Sequence, residues 1–133
     1  MLFPNPNGKI IAVIGSREFA DKKLLYDYLT PRRDKIKLIV SGGARGADTL
    51  AVKFATDFGI PYLVFPALWH DLETGVFNKG AGFKRNWFII SNCDVVIPFI
   101  KKGGSKGTQN SIDIAKQLGK PVKIIEFEPI ETL

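Results

Sequence analysis

Short runs of β-branched and aliphatic residues alternate with segments of helical period along this chain. That alternation constrains the fold more than any other feature. Lys9–Gly15, Lys37–Ser41, Pro61–Pro66, Asp94–Ile100 and Pro121–Phe127 read as five strands. Between them, Asp21–Leu29 places Leu24, Leu25, Tyr28 and Leu29 on one helical face, and Ala47–Phe58 does the same with Leu50, Ala51, Phe54, Ala55 and Phe58 before Gly59 stops it. Gly82–Asn92 and Thr108–Leu118 complete a set of four helices. Strands that are apolar throughout, rather than every second residue, predict a parallel sheet covered by helices on both faces. Right-handed crossovers then give the strand order 3-2-1-4-5, a doubly wound α/β architecture. At 133 residues, a single domain over 1–133 is expected.

In such a sheet, ligands bind outside the carboxyl ends of the strands where the order reverses, here between strands 1 and 4. Three loops converge on that edge. Strand 1 runs into Gly15-Ser16-Arg17-Glu18-Phe19, strand 2 into Ser41-Gly42-Gly43-Ala44-Arg45-Gly46-Ala47-Asp48, and strand 4 into Lys101-Lys102-Gly103-Gly104-Ser105-Lys106-Gly107-Thr108. Glycines allow tight turns and close approach, and free N–H groups at a helix start attract anions. Arg17, Arg45 and Lys106 can add charge-assisted hydrogen bonds. The loops carry neither G-x-x-x-x-G-K-[ST] nor G-x-G-x-x-G, which argues against the usual ATP- and NAD-binding fingerprints. Asp48 reads either as a first-turn acid favoured by the helix dipole, or as a partner for Arg45 or ribose hydroxyls.

The charge balance agrees with an anionic partner. The formal net charge is +6, and because Glu126, Glu128 and Glu131 fall in the last eight residues, positions 1–125 carry +9. Lys84-Arg85-Asn86 opens an apolar helix, where a basic pair opposes the macrodipole unless an anion offsets it. The apolar surplus of Trp87–Ile90 points to a homo-oligomer. The 67–82 connection is long for an α/β unit and reads as a lid or specificity element. Its His70, the only histidine, reads as a packing residue. The lone Cys93 excludes an internal disulfide and a multi-cysteine metal site, so neither metal nor cofactor is expected. No apolar run approaches the roughly 20 residues of a membrane span, and the N-terminus lacks a signal-peptide pattern; a cytoplasmic setting is the expectation.

Ile11–Phe19, Ile39–Asp48, Ala81–Asn86 and Gly103–Thr108, in this order, resemble the SLOG superfamily, and most closely its YspA/cpYpsA-related branch. The resemblance covers about Lys9 to Ile125. It implies a Rossmann-like pocket for nucleotides or their derivatives, with Gly15, Ser16, Arg17, Gly42, Gly43, Arg45, Gly46, Asp48, Arg85, Asn86, Gly103, Gly104, Ser105, Lys106, Gly107 and Thr108 as ligand-binding candidates. The superfamily's LOG enzymes cleave nucleotide N-glycosidic bonds with an arginine similar to Arg85 and a glutamate whose position is taken here by Ser111. Such cleavage needs a carboxylate, so the implied enzyme role is doubtful; Asp48 or Glu18 would have to supply the acid, with Arg85 and Asp48 as its catalytic candidates. DprA members share the Ser-Gly-x-Ala-Arg-Gly-x-Asp and Arg-Asn strings and bind single-stranded DNA, for which Trp69, Phe77 and Trp87 are stacking candidates and Lys79, Lys84, Lys101, Lys102 and Lys106 a basic track. Capture of a nucleotide-derived phosphate ester ranks first, with glycosidic hydrolysis and strand binding as alternatives.

Overall fold

A computed structural model describes residues 7–43, 45–68 and 70–128; Ala44, Trp69 and Glu131 lie outside them. The elements are β1 (Lys9–Gly15), α1 (Lys22–Leu29), a 3-10 turn (Thr30–Lys35), β2 (Ile36–Ser41), α2 (Ala47–Phe58), β3 (Tyr62–Val64), α3 (Ala81–Ser91), β4 (Val95–Lys101), α4 (Lys106–Gln117) and β5 (Ile125–Phe127). All pairings are parallel and the order is β3-β2-β1-β4-β5, as the alternation predicts.

Successive residues of β1 point to opposite faces and feed two cores. Ile11 and Val13 pack with α1 and α2 through Leu25, Leu29, Ala51 and Phe54. Ala12 and Ile14 pack with α3 and α4 through Ile89, Ile90, Ile114 and Ala115. Phe19, immediately after the first glycine loop, is buried with its ring 5.0 Å from that of Phe99 and 4.8 Å from that of Phe127. The start of the β1–α1 loop is thereby anchored in the core, and so is the rim it forms.

Two strands are shorter than their sequence suggests. Pro61–Pro66 contributes only Tyr62–Val64, an edge strand whose three side chains stay exposed instead of being covered by helices. In place of a continuous Pro121–Phe127 strand, Val122 makes an isolated bridge to Val96, and pairing resumes at Phe99↔Ile125. Pro98 accounts for the gap. Val96 donates its N–H to Pro121 O, so the amide position two residues on faces the same neighbour, and proline has no hydrogen to donate there.

Candidate ligand-binding cleft

The carboxyl ends of β1, β2 and β4 surround a cleft of about 360 Å³ lined by Gly15, Ser16, Arg17, Glu18, Gly42, Asp48, Arg85, Asn86, Lys101, Ser105, Gly107, Thr108 and Ser111, with Ile14 and Ile89 as its apolar part. Most of the candidates from three separate loops and from α3 therefore share one concavity. Ser105 also lines a second, shallower concavity of about 540 Å³, with Phe83, Gly103, Gly104, Lys106, Gln109, Asn110 and Asp113.

Two glycines make the cleft possible. Gly46, the N-cap of α2, has φ +81°, and a Cβ there would collide with Ser16 O and the Arg17 backbone. Its lack of a side chain lets the β2–α2 loop lie directly on the β1–α1 loop. Gly42 leaves room for the Arg85 guanidinium, whose Nη1 donates to Gly42 O at 2.7 Å.

Arg85 is a half-buried cation. Burial pushes its pKa down; the nearby Asp48 carboxylate works against that, and the like charge of Arg17 adds to it. Its Nε donates to Asn86 Oδ1 at 2.9 Å, and Asn86 Nδ2 donates to Asn110 Oδ1 at 3.1 Å. Asn86 thus holds Arg85 and joins α3 to α4 from its place in the cleft lining. On the opposite wall, Lys101 pairs with Glu18 at 3.3 Å. Arg17, Arg85 and Lys101 face only Asp48 and Glu18, so the lining is net positive.

Three hydroxyl-bearing residues complete the floor. Ser16, Thr108 and Ser111 are each more than nine-tenths buried, line the cleft, and make no side-chain hydrogen bond among the described residues. Their oxygens are not sealed from solvent as Ser41 Oγ is; they open onto the cleft, where water or an occupant can bond them. Thr108 and Ser111 are one helical turn apart on the buried stripe of α4 that also carries Ile112 and Ala115. Hydroxyls interrupting an otherwise apolar stripe are a sequence signal that could have singled out Ser111 as a cleft residue.

Other expectations need correction. Arg45 is exposed and lines neither concavity, whereas the Asp48 carboxylate favours the charge of Arg85. Gly43, packed towards Val64 Cγ1, and Gly46 support the rim without lining it. Lys106 faces the second concavity. No described residue of the 67–80 connection lines the cleft. Asp71 Oδ1 accepts from the amides of Glu73 and Thr74, which fixes a turn, and His70 bridges to Phe77. Residues of this turn, with Lys84 and Phe88, wall a separate concavity of about 540 Å³. The described residues contain no group of three His, Cys, Asp or Glu placed to hold a metal, and no helix long and apolar enough to cross a membrane.

A parallel doubly wound sheet with a cationic, hydroxyl-floored cleft at its switch point defines the class: a Rossmann-like α/β protein. Residues 9–71, just under half of the chain, match the model of the YspA, cpYpsA-related SLOG family. Among solved structures, DNA processing protein A from Helicobacter pylori, described for its single-stranded DNA binding mode, is similar at TM-score 0.66 and 22% identity, over 86% of this chain and 64% of that one. DprA from Streptococcus pneumoniae is similar at TM-score 0.72 and 21% identity, over 88% of this chain and 50% of that one. TM1055 is similar at TM-score 0.59 and 23% identity, over 86% of this chain and 72% of that one. At these identities the likeness concerns the fold. The chain spans between half and about two thirds of the two DNA processing proteins' length. No curated protein matches it.

Proposed function

We propose that the cleft binds a nucleotide or a nucleotide-derived phosphorylated small molecule, in a sensing or sequestering role. The observation that carries this reading is that Ser16, Thr108 and Ser111, which make no side-chain hydrogen bond among the described residues, share the cleft lining with Arg17 and Arg85. Gly107 and Thr108 bring the amides of the α4 N-terminus to the same floor, where their orientation favours an anion. Ser105, at the N-cap, makes no side-chain capping bond and leaves those amides to a ligand. Phosphate oxygens accept from amides, hydroxyls and guanidinium together. The test is thermal shift and calorimetry on folded, ligand-free protein with inorganic phosphate, ribose 5-phosphate and a panel of nucleotides. Stabilisation by phosphorylated compounds that is lost in Arg85→Ala supports the reading; no response to any of them defeats it.

Two other readings rest on particular observations. Asp48 and Glu18 do line the cleft, so a carboxylate is present for LOG-type glycosidic hydrolysis even though Ser111 holds the position of the LOG glutamate. Release of free base from a nucleoside monophosphate, abolished by Asp48→Asn, would establish it. Exposed Phe83, Trp87 and Phe88 on α3, beside Lys84, offer stacking surfaces and charge for a single strand, the ligand named for the Helicobacter pylori neighbour. Light scattering across a dilution series tells whether that apolar surface pairs with a second copy of this chain instead.

A further inference from the structure

We infer that Glu18 limits how much negative charge the cleft accepts, by holding Lys101 in an ion pair across its mouth; this rests on the cleft being an anion site. Lys101 Nζ lies 3.3 Å and 3.4 Å from the two carboxylate oxygens of Glu18. Lys101 ends β4 and Glu18 follows β1, so the pair spans the crevice between two neighbouring strand ends at the switch point. Neither backbone position is free to drift. Phe19, next to Glu18, is buried against Phe99 and Phe127, Ser16 N donates to Phe99 O at 3.2 Å, and Lys102 N donates to Phe127 O at 2.8 Å.

The charges of the lining sort by depth. Farther in, the buried Asp48 and the half-buried Arg85 both flank Gly42, and the carboxylate counters the guanidinium. At the mouth, Glu18 counters Lys101; the lysine side chain is 31% exposed and the glutamate 61%. Arg17 is left over, with no hydrogen bond or ion pair among the described residues. One unbalanced cation, together with the hydroxyls and the α4 amides, suits a single phosphate group. A further phosphate reaching the mouth meets Lys101 and Glu18 together, so attraction and repulsion nearly cancel. With Glu18 neutral, the same phosphate would meet Lys101 alone. An exposed pair contributes little to stability, so either partner can be neutralised without unfolding the chain.

The test is calorimetry on the full chain with AMP, ADP and ATP, at low salt and without divalent cations, repeated on Glu18→Gln, Lys101→Met and the double variant. Base and sugar are constant across the series, so only the phosphates change. Thermal midpoints check that each variant folds. In the parent, ADP and ATP are expected to bind within about threefold of AMP. Glu18→Gln raises the ADP-to-AMP and ATP-to-AMP affinity ratios about threefold or more, the scale of one unit charge acting across several ångströms of solvent. Lys101→Met lowers them by a similar factor, and the double variant brings them back near the parent's. A merely structural role for the pair would not move the ratios in opposite directions and then cancel. A parent that binds ATP far tighter than AMP, or ratios that stay put or move the same way in both single variants, overturns the role of Glu18 and leaves the anion cleft standing. Absence of binding by all three nucleotides overturns it too, and absence of any response to inorganic phosphate as well overturns the anion site.

Discussion

Arg85 on α3 and Gly42 at the end of β2 are locked together: the guanidinium Nη1 donates to Gly42 O at 2.7 Å, and a Cβ on residue 42 would lie 2.5 Å from that nitrogen. The two residues are 43 positions apart in sequence, and the contact fixes the cation at the cleft wall. Gly42 does not have a positive φ, so alanine fits its backbone. The obstacle is the tip of a flexible side chain that can swing away. Gly42→Ala is therefore expected to change the thermal midpoint little while weakening phosphate-ester affinity by about tenfold, the loss of one charged contact. Calorimetry paired with a melting curve checks the split; equal losses in both would contradict it.

Gly46 behaves differently. Its φ of +81° is unfavourable for alanine, and the obstacle is the Ser16–Arg17 backbone, which cannot rotate aside. Gly46→Ala is expected to cost more than about 2 kcal/mol in urea unfolding. A variant as stable as the parent would show that the two loops do not abut.

Ser41 carries a buried Oγ with no hydrogen-bond partner. An unsatisfied buried hydroxyl is costly, so Ser41→Ala is expected to leave stability unchanged or raise it by up to about 1 kcal/mol. Most core truncations do the opposite. A clear loss in chemical denaturation would mean that the hydroxyl has a partner in solution.

Tyr26 donates to Asp57 Oδ2 at 2.5 Å, and burial first, then this bond, pushes its hydroxyl up to about 12. The folded chain then holds a proton that the unfolded chain releases near pH 10. The associated stability is present below pH 10 and is lost as pH rises through 12. At a partly exposed pair the effect is small, under about 1 kcal/mol. Denaturation at pH 9 and pH 11 should show a drop for the parent that is smaller in Tyr26→Phe.

Phe54 shows how legible the fold was. Its place in a helical apolar stripe is readable from residue spacing, and it lies fully buried against Tyr26, their rings 5.2 Å apart. The strand order followed in the same way, because continuous apolar runs and right-handed crossovers leave few alternatives. The shortened β5 was harder to see. Pro98 sits within an apolar run, and its effect depends on whether its missing N–H faces β1 or β5.

The candidate cleft was legible as a location and less so as a set of contacts. Arg17 and Thr108 line the cleft from the ends of their glycine loops and Arg85 from α3, but Arg45 faces solvent and Asn86 bonds Arg85 and Asn110. Glycine loops announce that a backbone turns without saying which way the next side chain points.

The layers, the order of strands and the edge where the loops meet follow from hydrophobic period and chain chirality, which act through local geometry. Which cations face inward, which side chains bond one another and which hydroxyls open onto the cleft are set by packing. Those outcomes depend on distances between residues far apart in the chain, such as Arg85 and Gly42, and no local pattern encodes them.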